Sequence, residues 1–509
     1  MNIGKVILVG AGPGDAGLLT LKGKRWIEKA DVIVYDHLVN IRMTHHAKPG
    51  VELVYAGKSE GRATIDQETI NSLLIEKARS GKITVRLKGG DPFIFGRGGE
   101  EAQALKSADI PFIIVPGVTS AVGVPAYAGI PLTHRDFSST VSIITGTIGK
   151  QHGGDPIDWP GLAQWSGTLV FLMGARKLGL IAENLIQNGR NPKTPIAVVQ
   201  WGATPRQKTL TGTLETIGSI AKTENIQPPA LTVVGKVVDL KSSVDWFETL
   251  PLFGKTVAVT RSKSQAEGLT QLLEEKGAEP FSLPMIETAP PDDWNLMENA
   301  LNQLDSYDGI IFTSVNGVKH FVEYLHSKNV DFRKMGDAKI YAIGPKTADA
   351  VSNLNIRVDI VPEEYVAESL LDSFLQEGIS GKRFLLPRAL VARETIPKGL
   401  RSRGALVDVV PVYKTIQPEN TAQNFEQKLK AREIDVVTFT SSSTATHFMS
   451  ILKDISLMND VAVACIGPVT AKTAQKLGLH VDIIAQEFTV EGLVEALEAY
   501  FINNSSEVL

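Results

Sequence analysis

Short runs of β-branched and other apolar residues alternate with longer amphipathic segments in the first hundred residues. The runs Val6–Val9, Val32–Tyr35 and Thr84–Leu87 predict strands, and the segments Leu21–Lys29 and Thr69–Arg79 predict helices between them. Strands that alternate with helices are typical of α/β proteins whose sheets are mainly parallel. The pattern therefore predicts an α/β fold.

One stretch, Ile110–Thr133, carries no charged residue and needs comparison with a membrane span. Four prolines and three glycines interrupt it, and proline breaks the hydrogen bonding of a helix interior. The stretch therefore predicts a buried loop and a short helix, and we expect no membrane partner.

The pattern changes near Lys241–Lys255. A strand pattern, Leu231–Val238, ends just before this segment, and another, Thr256–Thr260, begins just after it. We predict a first domain over 1–245, a linker over 246–253 and a second domain over 254–505.

The second domain contains an internal repeat. At an offset of 127, residues 254–261 align with 381–388 and residues 312–314 with 439–441; near an offset of 123, 342–348 aligns with 465–471. These blocks occur in the same order, which predicts two similar α/β lobes. A ligand is expected in a cleft between such lobes.

Composition narrows the classes of partner and compartment. The 509 residues include 52 Lys and Arg against 56 Asp and Glu, a net charge of −4, which does not favour a nucleic-acid partner. A single cysteine, Cys465, in an apolar strand pattern predicts a buried thiol in a reducing compartment. With a strand pattern starting at Lys5, we expect no secretory signal and a cytoplasmic protein. Without clustered Cys and His we expect no metal site.

The first predicted strand runs into a glycine loop, 10–17, in which Gly12, Gly14 and Gly17 match the dinucleotide-binding pattern G-x-G-x-x-G. Asp36 lies about 20 residues on, where such proteins bind a ribose. However, the helical pattern begins only near Thr20, and Pro13 removes a backbone donor. A nicotinamide-dependent dehydrogenase, a structural turn and another adenosyl ligand all remain open.

Two further glycine loops follow predicted strands, at 88–101 and 116–121. Together with P-L-T-H-R-D at 131–136, F-L-M-G at 171–174, Q-W-G-A at 200–203 and P-P-A-L-T-V-V-G at 228–235, they resemble the tetrapyrrole methyltransferase family, most closely its uroporphyrinogen-III C-methyltransferases. The resemblance covers about 3–245. It implies a two-lobed α/β enzyme, with lobes of about 1–115 and 116–245, that is usually a homodimer. It also implies that S-adenosylmethionine provides methyl groups for two pyrrole carbons of uroporphyrinogen III.

The resemblance also implies site residues. The acid/base positions match Asp36 and Lys58, for which a loop-capping aspartate and a surface lysine are the alternatives. Arg97, Glu100 and Arg135 lie in motif blocks where they could bind or orient substrate carboxylates. The cofactor-binding positions correspond to Pro13, Gly89, Gly90, Asp91, Ile94, Thr119, Ser120, Met173, Gly202 and Ala230.

The repeated half carries hydroxyl side chains and arginines after its predicted strands. Arg261 and Arg388 occupy equivalent positions of the repeat and are expected to face one cleft. Hydroxyls and backbone amides at strand ends can bind carboxylates, but each can equally cap the following helix. The candidates for substrate binding are Arg261, Thr313, Ser314, Arg388, Ser441 and Thr470.

This half resembles the uroporphyrinogen-III synthases over about 254–500. The resemblance rests on T-R-S at 260–262, F-T-S-V-N-G at 312–317, V-P-V-Y-K-T at 410–415 and the two I-G-P blocks. It implies two flavodoxin-like lobes, discontinuous in sequence, that exchange chain near 287 and 412. It further implies cyclisation of hydroxymethylbilane without a cofactor. Tyr413 matches the family's tyrosine and is our candidate acid, or else a packed strand aromatic.

The two resemblances explain each other, because uroporphyrinogen III is the product of one reaction and the substrate of the other. They predict one bifunctional enzyme that makes precorrin-2 on the route to sirohaem or cobalamin. Both ligands carry carboxylates, so we expect locally basic pockets. The alternative is a nicotinamide-dependent dehydrogenase whose C-terminal lobe pair binds a ligand without catalysis.

Overall fold

The structure is a computed structural model. It describes residues 3–57, 66–146, 157–362, 367–374, 378–416 and 421–505. Contacts within the chain define two compact units. One comprises Met1–Val257, Thr270–Pro280 and Val494–Leu509, and the other comprises Ala258–Leu269 and Phe281–Leu493.

The first sheet is wholly parallel. Its strands are β1 (Lys5–Gly10), β2 (Val32–Tyr35), β3 (Glu52–Tyr55), β4 (Ile83–Lys88) and β5 (Phe112–Val115). They lie in the order β3–β2–β4–β1–β5. Apolar clusters cover both faces of this sheet, which is why the inner strands β1 and β2 are almost wholly apolar, whereas the third inner strand, β4, carries Arg86 and Lys88. All five carboxyl ends therefore meet at one edge.

Three helices connect these strands: α1 (Leu21–Lys29), α2 (Gln67–Arg79) and α3 (Gly98–Ser107). The hydroxyl oxygen of Thr20 accepts the Gly23 N–H at 3.1 Å and begins α1. The carboxylate of Asp66 accepts the Thr69 N–H at 2.7 Å and begins α2. Such side-chain caps satisfy donors that the first turn leaves unpaired.

The second sheet is mixed. Its strands are β6 (Val141–Thr145), β7 (Thr168–Leu172), β8 (Pro195–Gln200), β9 (Lys208–Thr213) and β10 (Ala230–Val234), in the order β6–β7–β10–β8–β9. Among its described strands only β6 and β7 pair in parallel, because β10 lies antiparallel between β7 and β8 and a short hairpin joins β8 to β9. The expectation of mainly parallel strands is right for the first sheet and wrong here. The helices of this region are α4 (Ser120–Tyr127), α5 (Trp159–Gln164), α6 (Leu178–Gln187), α7 (Ile217–Thr223) and α8 (Lys241–Val244).

The remaining strands form two further sheets. The third contains β11 (Thr256–Val259), β12 (Glu279–Ser282), β18 (Val436–Phe439), β19 (Ala462–Cys465) and β20 (Ile483–Ile484), in the order β12–β11–β18–β19–β20. The fourth contains β13 (Glu287–Ala289), β14 (Gly309–Phe312), β15 (Lys339–Ala342), β16 (Arg383–Ala389) and β17 (Leu406–Ile416), in the order β13–β17–β16–β14–β15. The chain thus leaves the third sheet after β12, builds the fourth, and returns at β18.

Within the described ranges, ten α-helices accompany these two sheets. They are α9 (Lys263–Glu275), α10 (Asn295–Asn302), α11 (Val315–Ser327), α12 (Pro345–Ser352), α13 (Ala367–Ser373), α14 (Thr395–Arg401), α15 (Thr421–Lys430), α16 (Ser442–Ile451), α17 (Pro468–Lys476) and α18 (Val490–Ser505). The strand β13 pairs antiparallel with β17, with Thr288 opposite Thr415. These two threonines are 127 residues apart, the main offset of the sequence repeat, and the structure makes them neighbours.

The uncharged stretch 110–133 folds as β5, a glycine loop and α4, with Pro125 inside that short helix. Across the described ranges, the structure contains no helix with the length and apolarity that crossing a membrane requires.

The segment predicted as a linker, 246–253, packs closely. The Phe247 ring lies 4.8 Å from the Tyr127 ring and is almost fully buried. The indole of Trp246 donates to the Ala126 carbonyl at 3.0 Å, and the Glu248 carboxylate accepts from Gln207 at 2.9 Å. This segment is fastened to α4 and to the loop before β9.

We predict that Phe247→Ala destabilises the protein by about 3 kcal/mol or more, because a buried aromatic ring would leave a cavity. Urea unfolding followed by tryptophan fluorescence measures the change. Val244→Ala, at a half-exposed position three residues earlier, is the control and should cost less than about 0.5 kcal/mol. Equal effects for the two variants would show that the segment is only loosely attached.

Candidate functional site

Three loops meet through their backbones at the carboxyl edge of the first sheet. Gly12 and Gly90 exchange two hydrogen bonds, of 3.2 and 2.8 Å. A Cβ on Gly117 would lie 2.5 Å from the Gly90 carbonyl oxygen, and Gly90 itself has φ +68°. No side chain fits between these loops, so the edge presents backbone groups to whatever binds there.

Asp91 joins two of these loops. One carboxylate oxygen accepts the Phe93 N–H at 2.8 Å, and the other accepts the Gly117 N–H at 3.0 Å. Next to it, the hydroxyl of Thr119 caps α4 by accepting the Ala121 N–H. Both side chains hold the edge in shape, and each oxygen of Asp91 keeps capacity to accept a further hydrogen bond.

The structure brings the other predicted cofactor positions to the same region in two groups. A Cβ added to Gly123 of α4 would contact Pro13, so Pro13 packs closely against this helix. A Cβ added to Gly202 would contact Val124 of the same helix, so Gly202 packs closely against it as well. Met173 and Ala230 follow and begin adjacent antiparallel strands, since Leu172 pairs with Leu231. Gly89 and Ser120 flank the contacting loops, and Ile94 is exposed on the loop after β4.

Asp36 lies where β2 ends, at the same edge. Its carboxylate accepts a hydrogen bond from Arg86, whose side chain is only 3% exposed. Behind this pair, the buried Glu101 carboxylate accepts from Lys88 at 2.8 Å and from Arg86 at 3.3 Å. Burial lowers the pKa of Lys88, as does the neighbouring Arg86 charge, while Glu101 opposes the shift. Lys58, the other predicted acid/base residue, lies outside the described residues.

The sequence analysis missed Arg86, Lys88 and Glu101. The pattern T-V-R-L-K at 84–88 places two cations on one face of a strand that is otherwise apolar. A buried charge requires a partner, so this pattern could have indicated the cluster, although not the residue that completes it.

The predicted substrate residues of this half are exposed. Arg97 and Glu100 form a two-bond pair, of 2.9 and 2.6 Å. Their hydrogen bonds raise the pKa of Arg97 and lower that of Glu100. Arg135 is exposed on the loop between α4 and β6. A bound carboxylate would compete with Glu100 for Arg97.

In the C-terminal half, Arg261 and Arg388 follow or end β11 and β16, as expected. Burial lowers the pKa of Arg261. Arg388 is buried and donates to the Glu394 carboxylate and to the Arg393 carbonyl. Among the described residues, the Nε atoms of both arginines are buried without a hydrogen-bond partner. Each guanidinium therefore retains an unused donor.

Two of the four hydroxyl candidates for substrate binding cap helices. Ser314 caps α11 by accepting the Gly317 N–H at 3.0 Å, and Ser441 caps α16 by accepting the Thr444 N–H at 3.2 Å. Thr470 is buried within α17, and Thr313 is half-buried after β14. The capping alternative thus describes Ser314 and Ser441 in this structure.

Tyr413 lies on β17, nearly buried, with its hydroxyl 3.2 Å from that of Ser314. The His320 ring stacks on the Tyr413 ring with centroids 5.4 Å apart. His320 also hydrogen-bonds Thr288 at 3.0 Å through Nε2 and approaches Glu323 at 3.3 Å through Nδ1. Burial lowers the pKa of His320. This histidine was missed because a lone histidine on a helix carries no motif.

Cys465 is buried in β19 as predicted, and burial raises the pKa of its thiol to about 12. Within the described ranges, no group of three or more His, Cys, Asp or Glu side chains is arranged to hold a metal ion.

Comparison with known proteins identifies the family. The model for "Tetrapyrrole (Corrin/Porphyrin) Methylases" matches residues 5–218, and that for "Uroporphyrinogen-III synthase HemD" matches residues 267–495. The "Porphyrin biosynthesis protein HemD" of Ruminiclostridium josui is 38% identical over 497 residues, covering 98% of each chain. The chain therefore belongs to the same family as this porphyrin biosynthesis protein. It carries a tetrapyrrole methyltransferase part and a uroporphyrinogen-III synthase part.

Two further relatives match the methyltransferase part. The uroporphyrinogen-III C-methyltransferase of Bacillus subtilis (strain 168) is 48% identical over 247 residues, covering 48% of this chain and 96% of the relative. A crystal structure of uroporphyrin-III C-methyl transferase from Thermus thermophilus, complexed with S-adenyl homocysteine, is 41% identical. It covers 47% of this chain and 100% of its own, with a TM-score of 0.41. The family matches do not support the dehydrogenase alternative.

We predict that His320 makes the synthase part less stable as the pH falls below about 6.5. Above that pH the imidazole is neutral in both the folded and the unfolded chain. Below it the unfolded chain binds a proton that the folded protein refuses until the pH reaches the lower folded pKa, so the free energy of unfolding falls.

Urea unfolding at several pH values, followed by circular dichroism, measures this effect. His320→Gln should lose less stability between pH 7 and 5 than the wild type. The exposed His447→Gln should retain the wild-type dependence. Identical pH dependence for His320→Gln and wild type would contradict the assignment.

Proposed function

We propose that the chain converts hydroxymethylbilane into precorrin-2 in two steps. The synthase part closes the linear tetrapyrrole to uroporphyrinogen III with loss of water, and the methyltransferase part adds two methyl groups from S-adenosylmethionine. The observation that carries this proposal is the presence of both family parts in one chain, aligned over almost its full length with a porphyrin biosynthesis protein. The product of one part is the substrate of the other.

The loops of Gly12, Gly90 and Gly117 meet at the carboxyl edge of the first sheet, which we call the glycine edge. This edge fits S-adenosylmethionine. A Cβ at Gly117 would lie 2.5 Å from the Gly90 carbonyl oxygen, so only glycine lets these loops pack together and present their backbone groups at the edge. Asp91 can accept hydrogen bonds from ribose hydroxyls, and the backbone near Met173 and Ala230 can hold an adenine without charge. When bound, S-adenosylmethionine supplies an electrophilic methyl group. The remaining positions proposed to hold it are Pro13, Gly89, Ile94, Thr119, Ser120 and Gly202.

Asp36 is proposed to accept the proton that the methylated ring loses. When a pyrrole carbon gains a methyl group, the macrocycle must lose a proton, and a carboxylate at the cleft can accept it. The partly exposed Asp36 carboxylate follows β2 at the edge where the glycine loops meet, which supports this role. We propose Lys58 as its partner in acid/base work from the sequence match alone.

Substrate carboxylates need cations. In the methyltransferase part we propose that Arg97 and Arg135 bind them and that Glu100 orients Arg97, to which it is already hydrogen-bonded. If a substrate carboxylate displaced Glu100, Arg97 would still be paired with a carboxylate.

In the synthase part, Arg261 and Arg388 are proposed to bind substrate carboxylates through their unused donors. The hydroxyls of Thr313, Ser314, Ser441 and Thr470 are proposed to assist, and Tyr413 to donate a proton to the departing hydroxyl. The Ser314 contact supports this role, since a hydroxyl that donates to the phenol oxygen leaves the phenol O–H free for the substrate. No cofactor is proposed for the synthase part.

We also propose domain bounds, an oligomeric state and a cellular location. The domain bounds are proposed as 1–245, 246–253 and 254–505. A homodimer through the methyltransferase part is supported by the exposed rings of Phe93 and Phe95 near the cofactor loops. A cytoplasmic location is supported by the unpaired Cys465.

A coupled assay of the intact chain tests the function. Supplied with hydroxymethylbilane and S-adenosylmethionine, it should form a tetrapyrrole carrying two added methyl groups, identified by mass. Without the methyl donor, the product should be uroporphyrinogen III. Formation of only the spontaneous isomer would contradict the synthase assignment, and NADH binding without methylation would favour the dehydrogenase.

We predict that Asp36→Asn lowers the rate of methylation about 100-fold or more, because the amide cannot accept the proton. Its affinity for S-adenosylmethionine, measured by calorimetry, should stay within about two-fold, since Asp36 takes no part in the glycine contacts. Asp109→Asn is the control: Asp109 is exposed with φ +56°, a conformation that asparagine tolerates. A full methylation rate in Asp36→Asn would refute the assignment.

A further inference from the structure

Two cations lie inside the first lobe of the methyltransferase part. Arg86 and Lys88 are two residues apart on β4, so their side chains share one face of the strand. They are 3% and 4% exposed. Charges cannot be buried in this way without partners, and the neighbouring strands β1 and β2 place apolar side chains, such as Leu8 and Val34, on the same face of the sheet.

Glu101 supplies the first partner. It projects from α3 with a fully buried side chain, and one of its oxygens accepts from Lys88 at 2.8 Å, from Gln67 at 3.1 Å and from Arg86 at 3.3 Å. The Lys88–Glu101 pair is therefore balanced in charge without Arg86. The Arg86 charge is left for another partner.

That partner is Asp36. Because Val34 of β2 lies opposite Arg86, Asp36 comes two residues later on the same face and beyond the end of the strand. Arg86 donates to the Asp36 carboxylate through Nη2, and its Nη1 faces the carbonyl oxygens of Val34 and Leu87 at 3.4 Å. The guanidinium is thus held from several sides.

Exposure changes sharply along this chain of contacts. The side chains are 0% exposed at Glu101, 3% at Arg86 and 30% at Asp36. The cluster runs from the interior of the lobe to the sheet edge and ends on the carboxylate. A cluster that served stability alone could be replaced by apolar residues at little cost, since buried ion pairs rarely outperform good packing.

We propose that Arg86 is a positioning residue for Asp36: anchored by Glu101, it fixes the orientation of the Asp36 carboxylate toward the tetrapyrrole. Lys88 completes the arrangement by neutralising Glu101. The inference rests on the proposed role of Asp36 in methylation. It explains why two cations persist in the interior of an apolar sheet.

A double-mutant cycle in the full chain tests the proposal. The variants are Arg86→Gln, Asp36→Asn and the two combined, with Arg86→Lys as the conservative variant. Methylation of uroporphyrinogen III gives kcat and KM, and calorimetry gives the affinity for S-adenosylmethionine, which also reports whether each variant is folded.

We expect Arg86→Gln to lower kcat about ten-fold or more through misplacement of the carboxylate, with cofactor affinity within about two-fold. The combined variant should be no slower than Asp36→Asn alone, because a residue that acts through Asp36 has nothing left to position. Arg86→Lys should recover part of the rate. If Arg86→Gln does not fold, Arg86→Lys takes its place in the cycle and should show the same non-additivity.

Multiplicative losses in the combined variant, or an unchanged kcat in a folded Arg86 variant, would overturn the proposal. These outcomes differ from failure of the proposed function. If Asp36→Asn alone retains the full rate, the assignment of Asp36 is wrong. If Asp36→Asn is slow while the Arg86 variants are fast, only the positioning role is wrong.

Discussion

Backbone contact between the glycine loops is the constraint on which the methyltransferase site depends. Gly12 and Gly90 share two hydrogen bonds, and Gly117 approaches the Gly90 carbonyl more closely than any Cβ would allow. Asp91 fastens the same loops through two further backbone donors. The edge of the sheet is thereby shaped mainly by backbone contacts and by the Asp91 carboxylate, which suits a ligand recognised by shape and by hydrogen bonds more than by charge.

Buried charged side chains lie instead at a few places in the described residues. The net charge of −4 conceals a buried cluster of Arg86, Lys88 and Glu101 behind Asp36, and two arginines of the synthase part whose Nε atoms are buried. In both parts, cations lie where strands end. Electrostatic recognition of acidic tetrapyrroles can therefore be local, and the overall balance of charge says little about it.

The sequence predicted some elements closely and others not at all. The bounds of α1 and β2 match the predicted ones, because amphipathic periodicity and a threonine cap act locally. Strand direction in the second sheet could not be predicted, since a period of two residues is the same in parallel and antiparallel strands. The internal repeat had its counterpart in equivalent strands, with β11 and β16 both leading to an arginine.

For the sites, the motifs identified the glycine loops and Asp36, and the structure has them at one edge of the first sheet. Glu101 and His320 were missed because their partners are distant in sequence and no spacing rule links them. The pairing of Arg97 with Glu100 followed from no motif either, although a spacing of three residues at a helix start permits it.

Gly117→Ala tests most directly whether the glycine edge holds S-adenosylmethionine. Calorimetry should show at least about a ten-fold loss of affinity for S-adenosylmethionine, because the added Cβ would force the loops apart. Gly179→Ala, where a Cβ meets nothing within 4 Å, is the control and should bind normally. Unchanged binding by a folded Gly117→Ala protein would contradict the account.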